Sequence, residues 1–233
     1  MTIFRLKNFV TLPEVTRGGI VRWEFDRAEI IADGVVHILG IIFGLVAATA
    51  LVVLAATYAT KASLVSVSVY VAGLLAMLSL SAIYNLWPVS PAKWLLRRFD
   101  HSAIYILIAA TYTPFLAYMD DRFVGNAILI GVWSVAAAGI AIKIFLPGRF
   151  DRLSVGLYLA MGWSGVMAYD NLVASLPSTT LWLIAAGGLI YSLGVIFHAW
   201  ERLRFQNAIW HSFVLIAAGI HYTAVLDLVL VSG

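Results

Sequence analysis

The segment FQNAIWHSFV, residues 205–214, sets Asn207 and His211 four residues apart at the mouth of a long apolar run. One helical turn is the spacing of two side chains that hold one metal ion, yet one of these two is an amide. Three other polar groups stand at the ends of apolar runs in the same manner. Glu29, Asp33 and His37 succeed one another at steps of four, so a helix carries them on one stripe. Ser81 and Asn85 repeat the step near the end of a second run, and Asp100 and His101 open a third. Each has a plain structural reading when taken singly: Glu29 and Asp33 as first-turn acids favoured by the helix dipole, His101 as an interfacial side chain. Together they are the material of a site, because an ionisable group inside a span costs about 2.5–3.5 kcal/mol at the bilayer centre on insertion scales and therefore faces a bundle interior.

The elements that must position them are set by composition. Hydrophobic residues make up 62% of the chain and charged residues 12%, against about 45–50% and about 25% in soluble domains. The chain belongs in a bilayer. Seven apolar runs are separated by short charged or Pro/Gly loops, at about 28–59, 62–87, 100–119, 124–146, 153–169, 178–200 and 207–231. The runs are continuous rather than alternating, which predicts transmembrane helices and not a barrel. The expected fold is an all-α, seven-helix integral membrane bundle. Residues 1–27 form a cytoplasmic amphiphilic lead-in, with Trp23 and Phe25 suited to the interface, and residues 28–233 form a single transmembrane domain. With Pro13, Gly18, Gly19 and five basic residues, the lead-in does not read as a removable signal. The absence of cysteine excludes disulfides and thiolate chemistry.

Orientation is read from lysine and arginine, which gather on the cytoplasmic side of short loops. Arg5, Lys7, Arg17, Arg22 and Arg27 precede the first run; Lys93, Arg97 and Arg98 come after the second; Lys143, Arg149 and Arg152 after the fourth; Arg202 and Arg204 after the sixth. Only Lys61 and Arg122 remain for the opposite side. The N-terminus is therefore read as cytoplasmic and the C-terminus as external. On that topology all four polar groups share the cytoplasmic end of the bundle, where they can form a common site.

The segments EIIADGVVHILG, SAIYNLWP, RRFDHSAIYILIAATYTPF, LYLAMGW, GVIFHAW and NAIWHSFVLIAAGIHYTAV resemble the hemolysin III proteins, the bacterial branch of the progestin and adiponectin receptor superfamily. The resemblance runs from about Glu29 to Val225 and implies a seven-helix bundle with a zinc ion near the cytoplasmic face. It implies as ligands a histidine ending an S-x-x-x-H motif on helix two and both histidines of an H-x-x-x-H motif on helix seven. An aspartate on helix three reaches the metal through water, and helix one carries an E-x-x-x-N-x-x-x-H stripe. Carried over, the site comprises Glu29, Asp33, His37, Ser81, Asn85, Asp100, Asn207 and His211. Of the implied ligands only His211 is retained, Asp100 is the water-mediated acid, and Asn85 and Asn207 stand at ligand positions. Asp33 stands where the pattern has asparagine. An amide oxygen is a poor donor for Zn²⁺, so the sequence suggests a depleted site: a hydrogen-bonded polar network with no cofactor, or else a residual or different metal.

Three functions fit these residues: a regulatory or lipid-homeostasis protein with a degenerate zinc site, not an enzyme; a metal-dependent hydrolase of lipid esters or amides; and a cytolysin, as the family name implies. The partners expected are membrane lipids of a bacterial inner membrane, with no nucleic acid and an open oligomeric state. A rival lies in GWSG, residues 162–165, which is similar to the G-x-S-G of rhomboid proteases with His221 as base; His221 also reads as a satisfied interior histidine and His198 as an interfacial one. The small-residue spacing of GIIFG, Gly40 to Gly44, permits close helix packing within the bundle.

Overall fold

The computed structural model describes residues 25–58 and 61–231, preceded by a strand pair, β1 at Val15–Thr16 and β2 at Gly19–Ile20, in antiparallel register. Most of the lead-in, including Arg5, Lys7, Arg17, Arg22 and Trp23, lies outside the described residues, as does the side chain of Lys61. The rest of the chain is helical: α1 Arg27–Tyr58, α2 Lys61–Leu86, α3 Pro91–Ala117, α4 Arg122–Phe145, α5 Asp151–Trp163, a 3₁₀ segment Ser164–Ala168, α6 Tyr169–Ser175, α7 Ser178–Ala199 and α8 Gln206–Val231. Five of these helices, α1, α2, α4, α7 and α8, are long and apolar enough to cross a membrane.

The start of α1 is written locally as Asp26-x-x-Glu29. The Glu29 backbone N–H donates to Asp26 Oδ1 at 2.8 Å, and the Asp26 N–H donates to Glu29 Oε2 at 2.9 Å. This reciprocal capping box satisfies two of the backbone donors that a helix start leaves open. The buried residues of α1 then run Glu29, Asp33, Gly34, His37, Gly40, Gly44, Ala48, Leu51 and Ala55 along one stripe. That stripe is polar at its start, small in its middle and apolar at its end. A Cβ at Gly44 would collide with Leu78 on α2, and one at Gly40 would touch the same leucine. The GIIFG spacing therefore serves contact within the bundle.

Neighbouring helices pack in chain order from α1 to α4, α7 packs on α8, and α8 closes back on α1. Opposite its buried stripe, α1 turns Phe43 and Val46 outward, 62% and 66% exposed, as a lipid-facing surface requires. By contrast α3 is enclosed: Ala103, Tyr105, Ala109 and Ala110 are fully buried. Its enclosure explains why it can be less apolar than its neighbours and still belong to the bundle. It also begins earlier than the run near residue 100 suggests, because Pro91 opens the helix ahead of Lys93, Arg97 and Arg98.

The fifth run is not a continuous helix. It breaks after Trp163, where Tyr112 of α3 inserts its hydroxyl, donating to the Gly162 carbonyl at 2.8 Å and accepting the Gly165 N–H at 2.9 Å. One phenol thus satisfies backbone groups that the interrupted ladder releases, which is how a bilayer-embedded break is tolerated.

Candidate metal centre

Helix α1 brings Asp33 and His37, one turn apart, against His211 in the first turns of α8. The His211 Nδ1 lies 2.6 Å from Asp33 Oδ1, and the His37 Nε2 lies 3.7 Å from the same oxygen. The two imidazole rings are 4.5 Å apart between centroids and tilted by 53°. One ligand atom from each of the three residues falls within 4.8 Å of the others. The His37 Nε2 is buried without any hydrogen-bond partner. A lone nitrogen buried beside a carboxylate and a second imidazole is an unmet demand for a proton or a cation.

This geometry corrects the expectation of a depleted site. The sequence reading took its ligands from helices two and seven and found asparagine there. The structure assembles two imidazoles and a carboxylate from α1 and α8, so Asp33, His37 and His211 form an intact potential triad. The asparagines have other positions. Asn85 turns back along its own helix, its Nδ2 donating to the Ser81 carbonyl at 3.0 Å and to Ser81 Oγ at 3.3 Å. Asn207 is half-buried on the cavity wall. The regulatory reading built on lost zinc ligands falls with this finding, and so does the inference against an enzyme. The signal was in the sequence: Asp33 in place of asparagine, four residues before His37, is a ligand spacing in its own right.

Glu29 belongs to the site's frame. Besides the capping box, its Oε1 accepts the Phe205 N–H at 3.1 Å, fixing the turn before α8, where Phe205 holds a left-handed φ of 60°. Non-glycine residues rarely adopt that region, so the bond stabilises a strained corner. Arg204 pairs with Asp26 at 3.1 Å beside it. The Glu29 N–H, with help from the Arg204 guanidinium, holds the Asp26 carboxyl below the ordinary aspartate range. Two elements are thereby locked at the register that faces Asp33 toward His211.

A cavity of about 1510 Å³ opens on the triad. Its wall includes Glu29, Asp33, Asn85, Asp100, Asn207 and His211, whereas His37 and Ser81 do not line it. From this polar end it extends between α3, α5, α7 and α8 to Leu172 and Trp182 near the opposite helix ends. Asp100 is buried, within electrostatic reach of His211 and Asp33 and beside the Ser81 side chain. Around it lies a cluster whose Arg97 and Lys143 the sequence reading used only for topology: each meets Asp151 at 2.7 Å, and the Tyr158 hydroxyl donates to the His101 carbonyl at 2.8 Å.

The GWSG serine is not paired with His221. Ser164 Oγ donates to the Met161 carbonyl at 2.7 Å, while His221 Nε2 lies 3.1 Å from the Ile184 carbonyl, an interior histidine with its own partner. His198 lies 4.8 Å from Trp210 between ring centroids, tilted by 42°, and lines the cavity.

Known proteins are similar to this sequence along most of its length. The haemolysin-III related family model matches residues 27–222. A hemolysin-3 homolog of Bacillus subtilis (strain 168) is 38% identical over 202 residues, covering 87% of this chain and 95% of its own length. The hemolysin-3 of Bacillus cereus is 36% identical over 207 residues, covering 89% and 94%. The human monocyte to macrophage differentiation factor is 32% identical over 164 residues, 67% of each chain. No solved structure matches the chain.

Proposed function

The chain belongs to the haemolysin-III related family, and from that premise we propose that it is a metal-dependent hydrolase of membrane lipids, acting on an ester or amide at the polar end of its cavity. The observation that carries this reading is the meeting of Asp33, His37 and His211, with Asp33 and His211 on the cavity wall. Two imidazoles and one carboxylate suit Zn²⁺ and leave a coordination position for water or substrate, the arrangement of catalytic rather than structural zinc. The orphaned His37 Nε2 is the atom that fits such an ion.

When bound, a divalent ion supplies carbonyl polarisation and an acidified water. The chain's own residues do the rest. Asp100, buried beside the triad, takes a proton from the attacking water on a carboxylate oxygen and returns it to the leaving oxygen or nitrogen. Asn207, on the wall, offers a neutral amide to the substrate carbonyl. The apolar length of the cavity holds an acyl chain and excludes water. Seven crossings are supported by the five apolar helices together with α3 and the interrupted α5–α6 unit. Charge distribution supports a cytoplasmic metal end, and the Bacillus relatives support a bacterial membrane.

Elemental analysis of purified protein, followed by fatty-acid release from lipid substrates before and after chelation, tests the reading. About one zinc per chain and release that needs both the ion and Asp33 are expected. Iron in place of zinc would overturn hydrolysis, since two histidines and a carboxylate also serve oxygen-activating iron. Metal-loaded protein inert toward every ester and amide lipid would overturn it too.

A further inference from the structure

The stretch FLPGRFDRL, residues 145–153, leads from the last residue of α4 into the first turn of α5 and divides its charges between two sides. Its one acid, Asp151, turns toward the bundle, where one carboxylate oxygen accepts from Arg97 and the other from Lys143, each at 2.7 Å. Its two bases, Arg149 and Arg152, are exposed, and neither forms an ion pair with an acid among the described residues. Arg152 also borders the cavity, whereas Arg149 does not. The backbone fixes this division. Pro147 cannot continue α4, Gly148 takes a left-handed φ of 74° that favours glycine, and the Arg149 N–H closes the turn on the Leu146 carbonyl at 3.3 Å. The chain thus leaves α4 with Arg149 and Phe150 on its outer side.

Apolar side chains flank the two guanidinium groups. Phe145 is 79% exposed, Leu153 52% and Phe150 38%, and the Arg149 guanidinium carbon lies 5.9 Å from the centroid of the Phe150 ring. Phe145 closes α4, a helix long and apolar enough to cross a membrane, so this band stands where hydrocarbon gives way to headgroups. A guanidinium at that depth meets lipid phosphate, which it can hold by two parallel hydrogen bonds. A zwitterionic head cancels its phosphate with its own cation, whereas an anionic head leaves a net negative charge for two arginines to meet. We propose that this turn seats anionic phospholipids of the adjoining leaflet, with the phosphate on Arg149 and Arg152 and the acyl chains against Phe145 and Leu153 on the outer surface of the bundle. The seat lies outside the cavity and depends on neither the metal nor hydrolysis. With Asp151 held from within by Arg97 and Lys143, an occupied seat grips from outside the same turn that borders the polar site.

The probes are dioleoyl phosphatidylglycerol and dioleoyl phosphatidylcholine, given to protein in a neutral maltoside detergent and read by native mass spectrometry as lipid retained per chain. Their acyl chains are the same, so the ratio of the two reports the heads and cancels what apolar surfaces and the cavity contribute. Phosphatidylglycerol should be retained about tenfold more, and the preference should shrink as salt is raised, because the charges are exposed. Arg149→Gln should lower the ratio about threefold, and adding Arg152→Gln should remove nearly all of the rest. Arg122→Gln, at the opposite end of α4, should leave it unchanged. In lipid nanodiscs, hydrogen exchange across residues 146–152 should be slower in phosphatidylglycerol than in phosphatidylcholine for the unmodified protein and equal in the two for the double variant. Equal retention of the two lipids, a preference that survives in the double variant, or one that Arg122→Gln removes as well would overturn the proposal. Displacement of the lipid by inorganic phosphate at the same concentration would overturn it in favour of a phosphate site, and a doubled mass that the double variant loses would give the surface to a second copy of the chain.

Discussion

Asp33 Oδ1 is the atom that both imidazoles of the triad approach, at 2.6 Å and 3.7 Å. Its replacement in Asp33→Asn keeps the shape and removes the charge, so the variant should fold while losing at least about 10–100-fold in zinc affinity, the scale already seen for outer-shell changes. Competition with a chelator of known affinity measures it. The contrasting change is Asn85→Ala. Since the Asn85 amide spends its hydrogen bonds on Ser81 of its own helix, the loss should be about 0.5–1.5 kcal/mol of stability with metal stoichiometry unchanged. If Asn85→Ala emptied the site instead, helix two would be a ligand donor after all. At this scale the sequence was legible in kind and misread in assignment. The four-residue steps named every member of the triad, but spacing along a helix says nothing of which stripe another helix will face. The Glu29 to Phe205 bond, the Arg204–Asp26 pair and the α1–α8 contact make that choice.

Helix ends decide how firmly those side chains are held. Glu29 receives the N–H groups of Asp26 and Phe205 on its two carboxylate oxygens, so Glu29→Ala should cost about 1–2 kcal/mol by analogy with lost caps and should loosen zinc binding without touching a ligand. Thermal melts with and without added zinc check both parts, because a ligand that binds only the folded form raises the midpoint in proportion to its affinity. The D-x-x-E signature of this cap could be read directly from the chain. The break in the fifth helix could not. Gly162 and Gly165 look like the packing glycines common in membrane helices, and the hydroxyl that completes the break comes from Tyr112, distant in sequence. Tyr112→Phe removes that hydroxyl and leaves a carbonyl and an N–H to find other partners, at about 1–3 kcal/mol. Faster hydrogen exchange confined to residues 160–168 is the expected mark, and exchange unchanged there would mean that the break is held by other contacts.

Across the whole molecule, the start of α1 is tied to that of α8 by Asp26 with Arg204, and the starts of α3 and α5 and the end of α4 are tied by Arg97 and Lys143 with Asp151. Among the described residues, basic loops that the sequence assigns to one side of the membrane thus stand at these helix ends, and Asp33, His37 and His211 lie near the starts of α1 and α8. Only the sense of insertion is left to charge, and thirteen of fifteen basic residues argue for the cytoplasm. The chain lacks cysteine, so single introduced thiols report without background. Arg204→Cys lies in the turn before α8, an exposed position whose ion pair with Asp26 is a surface contact of small worth. Phe123→Cys lies at the other end, in the first turn of α4, at a side chain 84% exposed. A membrane-impermeant maleimide applied to intact cells stripped of their outer layer should label Phe123→Cys and spare Arg204→Cys until the membrane is opened. The reverse pattern would turn the metal centre outward, and the substrate would then have to come from the external leaflet. Labelling of both would mean that the helices between them do not separate the two ends across one bilayer.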